Sequence, residues 1–281
     1  MTNDNLSPKL EDAINYFTEK LGKNSDDFIV QKLSLYSKLP AALFYFKDLV
    51  DISSLNRDIM RPLIEEQEGI EELGVFPAAE KLKQHISHHS LSFSQSSFVE
   101  SAQIATTGML AGKFALAVEG LSGIFLIGDR AIGERAVSEP PTEQVIQGPR
   151  DGFIESLETN LGLLRYRLQT PKFKIKFMKI GQMTHTSVAI CYIEGIASPE
   201  LIKEVYSRLE SIEIDGVLDA GYLEQFIEDQ PYSPFPQVQH SERPDKVAAN
   251  MLEGGVAMLI DGSPFALSVP TVFSQFYQAA E

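Results

Sequence analysis

This chain carries one pattern twice, and any fold it adopts must accommodate the repetition. Residues 42–50 (ALFYFKDLV) can be laid on residues 188–196 (VAICYIEGI), and each stretch leads to a helix entered at Ser53 or at Ser198-Pro199. Residues 111–120 (AGKFALAVEG) match residues 253–262 (EGGVAMLIDG) in the same way, as the first arm and turn of a β-hairpin. A period of this length belongs to domains, not to solenoids. The expectation is an α/β chain of two small subdomains of similar topology, each a short mixed sheet with helices packed on it, as internal duplication would produce.

Between the copies runs residues 147–168, QGPRDGFIESLETNLGLLRYRL. Gly148-Pro149 breaks the chain, and the spacing predicts a helix from about residue 151. Phe153, Leu157, Leu161, Leu164 and Leu168 would form one apolar stripe. Arg165 and Arg167 fall in the last turn, where cations suit the helix dipole. This helix reads as the joint between the two halves. Near the N-terminus, Leu10, Ile14, Phe17 and Leu21 form a narrower stripe ended by Gly22, an amphipathic arm that docks on its own body or on a partner. Helices are also expected over 53–66, 93–109, 199–212, 218–227 and 245–252. Strands are expected over 28–35, 41–50, 172–180 and 187–193, with hairpins over 113–127 and 256–269. The division that follows is an N-terminal helical arm (1–25), a first α/β subdomain (26–140), a linker and central helix (141–170), a second subdomain (171–270) and a closing segment (271–281).

Composition narrows the function. The net charge of −15 argues against nucleic acid and against broad contact with anionic lipid. No apolar run approaches the roughly 18–20 residues that span a bilayer, and residues 1–12 lack the basic-then-apolar pattern of a secretory signal. The single cysteine, Cys191, forms no internal disulfide and reads as a buried strand thiol.

Motifs give binding surfaces in place of chemistry. Residues 108–114 (GMLAGKF) imitate a phosphate-binding loop but are one residue short, end in Phe114 where a hydroxyl is needed, and lead into a strand. His85, His88 and His89 have helical spacing, yet no carboxylate or thiol pattern supports a metal, and a solvated polar cluster is expected. No nucleophile elbow, zinc signature or dinucleotide fingerprint is present, so neither enzyme activity nor a cofactor is expected. Lys172, Lys174 and Lys176 alternate with apolar residues, either a lysine face that blunts an exposed sheet edge or a docking face for an acidic neighbour. Residues 232–237 (YSPFPQ) form a loop held to one path by its prolines, a rigid connection or an interaction loop. The candidate interaction or coupling residues are Pro149, Arg150, Lys172, Lys174, Lys176, Pro234, Phe235, Pro236, Glu242, Arg243 and Asp245.

Taken together, Gly148-Pro149-Arg150-Asp151-Gly152-Phe153 with Asn160-Leu161, then YSPFPQ at 232–237, SERPD at 241–245, EGGVA at 253–257 and DGSPF at 261–265 carry a resemblance. In this order they resemble the N-terminal soluble domain of the A-subunits of bacterial spore germinant receptors, the GerA family. The first 130 residues match mainly in pattern. One departure is Gly255, where the family usually has arginine. The resemblance implies a multi-pass membrane protein of the inner spore membrane, with this domain on the spore-core (cytoplasmic) side and residues 272–277 close to where membrane helices would begin. It further implies B- and C-subunit partners, homo-oligomerisation of A-subunits, and a role in assembly and signal coupling during nutrient-triggered germination and ion release. Two other readings stay open: a small-molecule module using a cleft between the halves, and a related spore membrane protein that senses no nutrient.

Overall fold

The computed structural model describes residues 4–36, 38–52, 55–64, 79–86, 96–128, 143, 148–228 and 237–271. The chain divides into two compact units: Met1–Lys23 with Asp27–Ile132, and Asn24–Asp26 with Gly133–Glu281.

In the first unit, α1 (Leu10–Phe17) runs on through a π-helical turn at Thr18–Gly22. Strands β1 (Phe28–Leu35) and β2 (Leu39–Phe46) follow, then the π-helical Leu55–Met60 leading to α2 (Arg61–Ile64), and α3 (Ala79–His85). The unit closes with β3 (Ser96–Val99), α4 (Ala102–Leu110), β4 (Phe114–Val118) and β5 (Ile124–Ile127). The second unit runs α5 (Leu157–Arg167), β6 (Phe173–Ile180), β7 (Thr186–Ile193), α6 (Pro199–Glu210), α7 (Ala220–Ile227), β8 (Gln239–Ser241), α8 (Pro244–Leu252), β9 (Val256–Ile260) and β10 (Ala266–Val269). Each unit holds one five-stranded sheet, ordered β1-β2-β4-β5-β3 and β6-β7-β9-β10-β8. Every pairing is antiparallel, so the sheets are not mixed.

Strand alternation explains the layering. Along β2, Ala42, Phe44 and Phe46 join a core with Leu10, Ile14 and Phe17 of α1 and Ala105 and Met109 of α4. Ala41, Leu43 and Tyr45 point the other way, into a core with Leu55, Met60, Leu82 and Ile86. Successive strand side chains face opposite sides of a sheet, so a strand apolar on both needs helices on both. The second unit does the same: Val188, Ile190 and Tyr192 pack with Val205 and Leu209 of α6 and Leu223 and Ile227 of α7. On its other face, Ala189, Cys191 and Ile193 are also buried, and α5 and α8 pack against each other and against β9.

The register makes the duplication explicit. β1 pairs β2 from Phe28↔Phe46 to Leu35↔Leu39, and β6 pairs β7 from Phe173↔Ile193 to Ile180↔Thr186. β4 meets β5 from Phe114↔Ile127 to Ala117↔Ile124, as β9 meets β10 from Val256↔Val269 to Leu259↔Ala266. The hairpins therefore correspond as their sequences do. The strand match needs a correction of one residue. Ala41 pairs Val118 and Val188 pairs Ile260, so Ala41, not Ala42, is the counterpart of Val188. A one-residue slip would turn every side chain to the opposite core.

With this register, α1 and α5 also correspond, each the first element of its unit. The Leu6 N–H donates to the Glu100 carbonyl (3.0 Å) as Phe153 N–H does to Glu242 (2.7 Å), and Gly120 N–H to Pro8 as Gly262 N–H does to Glu155, both at 2.9 Å. A carboxylate in the hairpin turn caps each helix: Leu10 N–H donates to Glu119 Oε2 at 2.8 Å, and Leu157 N–H to Asp261 Oδ1 at 3.4 Å. Residues 10–22 are thus no separate arm, and the stripe at Leu157, Leu161 and Leu164 is committed to the core of the second unit. The central helix also starts later than its apolar spacing implied, because Ser156 caps it through Thr159 N–H. Within the helix expected over 93–109, the described residues split into β3 and α4, since Ser101 caps a new helix through Ile104 N–H. Lys9 offers α1 no side-chain cap, whereas α5 has Ser156 besides Asp261. Glu119→Ala should therefore lower stability by about 1 kcal/mol and Asp261→Ala by less, measured by denaturant unfolding of the two variants beside the wild type.

Candidate functional site

Among the described residues of the second unit, a connected polar cluster lies where β8 gives way to α8. Pro244 sets the first helical φ, and its missing N–H costs nothing at that position. Arg243, just before it, is 5% exposed. Its guanidinium reaches forward to Asp245, Nε to Oδ1 at 3.1 Å and Nη2 to Oδ2 at 2.5 Å. This two-pronged pairing suits a planar guanidinium and places the carboxylate in the first turn, where the helix dipole favours it. Ser241 Oγ accepts from Arg243 N–H (3.1 Å) and donates to Glu143 Oε2 (2.7 Å). The same Glu143 oxygen accepts from Glu242 N–H at 3.0 Å, and its other oxygen accepts from Lys246 Nζ at 2.8 Å. Asp151 is paired with Arg167 beside this cluster. A Cβ on Gly148 would lie 3.9 Å from the Arg243 guanidinium, so the glycine backbone borders the same group.

The electrostatics follow from this arrangement. The Asp245 hydrogen bond, with the nearby charges of Asp245, Glu143 and Asp151, raises the Arg243 pKa above its ordinary value against the pull of burial. Burial pushes Asp245 up, but the hydrogen bond and charge of Arg243 outweigh it and hold the carboxyl below the usual range. The cluster is a clamp. It ties residue 143, the lead-in to α5 and the start of α8 together, and Arg243 with Asp245 and Lys246 with Glu143 pair their charges within it.

The structure joins some of the sequence candidates and separates others. Glu242, Arg243 and Asp245 form the clamp, with Pro149 and Arg150 exposed on the adjoining segment. Lys172, Lys174 and Lys176 belong with β6, at the opposite edge of the same sheet. That edge is covered. Asp26 N–H donates to the Ile175 carbonyl (2.8 Å), Ile175 N–H to Ser25 Oγ (3.2 Å) and Phe177 N–H to Asp26 Oδ2 (3.0 Å). Lys176 pairs with Asp26 at 2.7 Å, while Lys174 is only 2% exposed with its Nζ 3.9 Å from Glu194. Of the expected lysine face only Lys172 is well exposed, because a neighbouring segment occupies the edge. Pro234, Phe235, Pro236, His88 and His89 lie outside the described residues; His85 packs edge-on to Tyr36 at 5.6 Å.

Two buried polar side chains carry more than their sequence positions signalled. Asn160 Oδ1 accepts from Ile154 N–H at 2.8 Å and its Nδ2 donates to the Ile154 carbonyl at 2.5 Å, pinning the extended lead-in to α5. Arg165, expected to serve the helix dipole, is 1% exposed, stacks 4.7 Å from the Phe173 ring centroid and donates to the Phe173 carbonyl at 3.3 Å. A polar residue inside an apolar stripe was the available signal for Asn160. None marked Glu143, whose partners lie about 100 residues away.

Comparison with known proteins places this architecture. The model of the Bacillus/Clostridium GerA spore germination protein family matches residues 15–281. The chain belongs to the GerA family. It is 33% identical to spore germination protein KA of Bacillus subtilis (strain 168) over 98% of this chain and 49% of that one. It is 34% identical to the uncharacterized membrane protein YfkQ of the same organism over 98% of this chain and 52% of that one. Among solved structures it is similar to the N-terminal domain of the A subunit of the Bacillus megaterium spore germinant receptor GerK3, with a TM-score of 0.74, 30% identity, and coverage of 97% of this chain and 99% of that one. The chain spans about half the length of these curated relatives. Among the described residues, no helix is long and apolar enough to cross a membrane.

The family departure at Gly255 now has a physical reading. A Cβ there would fall 1.8 Å from Asn250 Oδ1 and 3.0 Å from the Asn250 carbonyl oxygen. Any side chain at 255 requires Asn250 to turn away. The counterpart positions in the first unit are Gly108 and Lys113, the small residue on the helix and the large one after it. Gly255→Ala should cost about 1–3 kcal/mol through overpacking, and Asn250→Ala in the same chain should recover most of it, as a double-mutant cycle would measure.

The clamp gives a second expectation. Arg243→Ala leaves a half-buried carboxylate without its partner and should cost about 3 kcal/mol at pH 7. Because the folded Asp245 pKa is depressed, its contribution is present above the unfolded carboxylate pKa and fades as pH falls through the folded one. The stability gap between wild type and Asp245→Asn should therefore be widest near neutrality and close in acid, read from urea titrations at stepped pH.

Proposed function

We infer that this chain is the N-terminal domain of a spore germinant receptor A-subunit and acts in receptor assembly and in coupling nutrient sensing to ion release. The observation that carries this reading is the end-to-end likeness to the GerK3 A-subunit domain, 97% of one chain on 99% of the other. The full-length protein continues into a membrane part of the inner spore membrane, with this domain on the spore-core side, B- and C-subunits as its partners and further A-subunits beside it. The internal character of the domain supports coupling in preference to chemistry. Arg243 and its partners form a clamp that holds three chain segments together, as a part that transmits force requires.

Similarity to the membrane protein YfkQ is as high as to the germination proteins, so a role without nutrient sensing is the competing outcome. The deciding experiment is made in spores. Deleting the full-length gene should abolish the response to at least one single nutrient while non-nutrient triggers still work. The receptor carrying Arg243→Ala should lower that response at least tenfold, with its subunits' levels reported by immunoblot. An unchanged response of the deletion strain to every nutrient would overturn the receptor assignment.

A further inference from the structure

One end of the second unit has a surface that the clamp and the proposed coupling role leave unused. The turn at residues 181–185 and the loop at residues 212–217 are zipped together: Gln182 N–H donates to Ile214 O (2.9 Å), Met183 N–H to Asp215 O (2.7 Å) and Val217 N–H to Thr184 Oγ1 (3.2 Å). This fixed ledge presents Met183 at 79% exposure and Leu218 at 69%. Leu218 stands just before the α7 cap, Asp219, where an apolar residue ordinarily folds back to staple the helix. Here it projects instead. Tyr222 and Phe226, 42% and 44% exposed, stand one turn apart on α7, about 6 Å along its axis, and continue the exposed apolar surface. Behind the ledge lies a groove of about 360 Å³ with Met178, Ile180, Leu209, Ile212 and Ile214 among its walls.

Acidic groups outnumber basic ones around this surface. From Leu209 to Glu242 the chain has eight carboxylates and no lysine or arginine. Asp219 is spent on Ala220 N–H and Ser263, Glu224 on His240, and Glu242 is buried. Glu210, Glu213 and Asp215 are exposed and form no ion pair among the described residues, and Glu228 beyond Phe226 forms none either. Lys179 and His185 line the groove, and Arg208, paired with Glu204, donates to the Ile227 carbonyl at the end of α7; these are the basic groups beside the surface. Exposed apolar rows of this size mark interaction sites, and helices dock on such rows through side chains at three- and four-residue spacing. An acidic rim selects a cationic partner and repels an anionic lipid surface.

We propose that the row Met183, Leu218, Tyr222 and Phe226, with its groove and acidic rim, docks a cationic amphipathic helix of a partner protein. The inference stands on this surface alone and does not depend on the germination reading. The test uses the whole 281-residue chain and two synthetic helical peptides with the same leucine spacing, one filled with lysine and one with glutamate, followed by calorimetry and fluorescence anisotropy. The leucine–lysine peptide should bind saturably, one per chain, and more weakly as salt rises; the leucine–glutamate peptide should not bind. Leu218→Ser with Phe226→Ser should weaken binding at least tenfold, and Glu213→Lys with Asp215→Lys should do so separately. These side chains are exposed, so unfolding curves should stay superimposed on the wild type. Equal affinity for the serine variant would reduce the effect to general charge attraction and overturn the proposal. So would absence of binding, self-association of the chain relieved by the serine variant, or binding of the chain to phosphatidylglycerol vesicles through the same residues.

Discussion

Each sheet in this protein is apolar on both faces, and neither face can be left to water. Strands such as β2 and β7 bury nearly every side chain, alternately up and down. Covering both sides dictates two helical layers, and α1 with α4, or α5 with α8, supplies one of them. The other falls to the segments between β2 and β3 and to α6 and α7 between β7 and β8. The antiparallel register then decides which residue meets which layer. A shift of one residue would exchange the two cores.

The two units solve this problem with the same parts down to single hydrogen bonds. In each, a carboxylate at the hairpin turn caps the first helix, and the turn glycine's N–H holds the strand that leads into it. Gly120 and Gly262 both adopt positive φ, 89° and 87°, which these turns require. Their differences are equally physical. The first unit carries its small residue on α4 and its long one after it; the second reverses the arrangement, with Asn250 occupying the space that Gly255 leaves.

Polar groups inside the second unit do positional work. Asn160 holds the extended lead-in to α5, Arg165 fills the space over Phe173, and Glu143 gathers Ser241, Glu242 and Lys246 around one carboxylate. Burying such groups is tolerable only because each has partners. Arg243, Asp245, Glu143 and Lys246 are paired with one another, while Glu210, Glu213 and Asp215 stand exposed near the start of α7. The chain is a GerA-family domain, and a clamp of paired side chains keeps its segments in place.

Much of this was legible in one dimension. Periodicity located most strands and helices, the repeat announced two similar subdomains, and the motifs from Gly148 to Phe265 carried the family. These depend on local properties: alternation, capping, turn chemistry and short-range spacing. Ser96–Val99 is a strand by virtue of pairing with β5, which the helical spacing over 93–109 does not reveal. The lysines of β6 looked exposed because alternation predicts a face but not what covers the edge, and Asn24–Asp26 lies about 150 residues away. By itself, then, the sequence determined the periodic elements, the duplication and the family, since each is written in neighbouring residues. Only the tertiary structure decided the register, the equivalence of α1 with α5, and the clamp around Glu143 and Arg243, because those rest on contacts between residues distant along the chain.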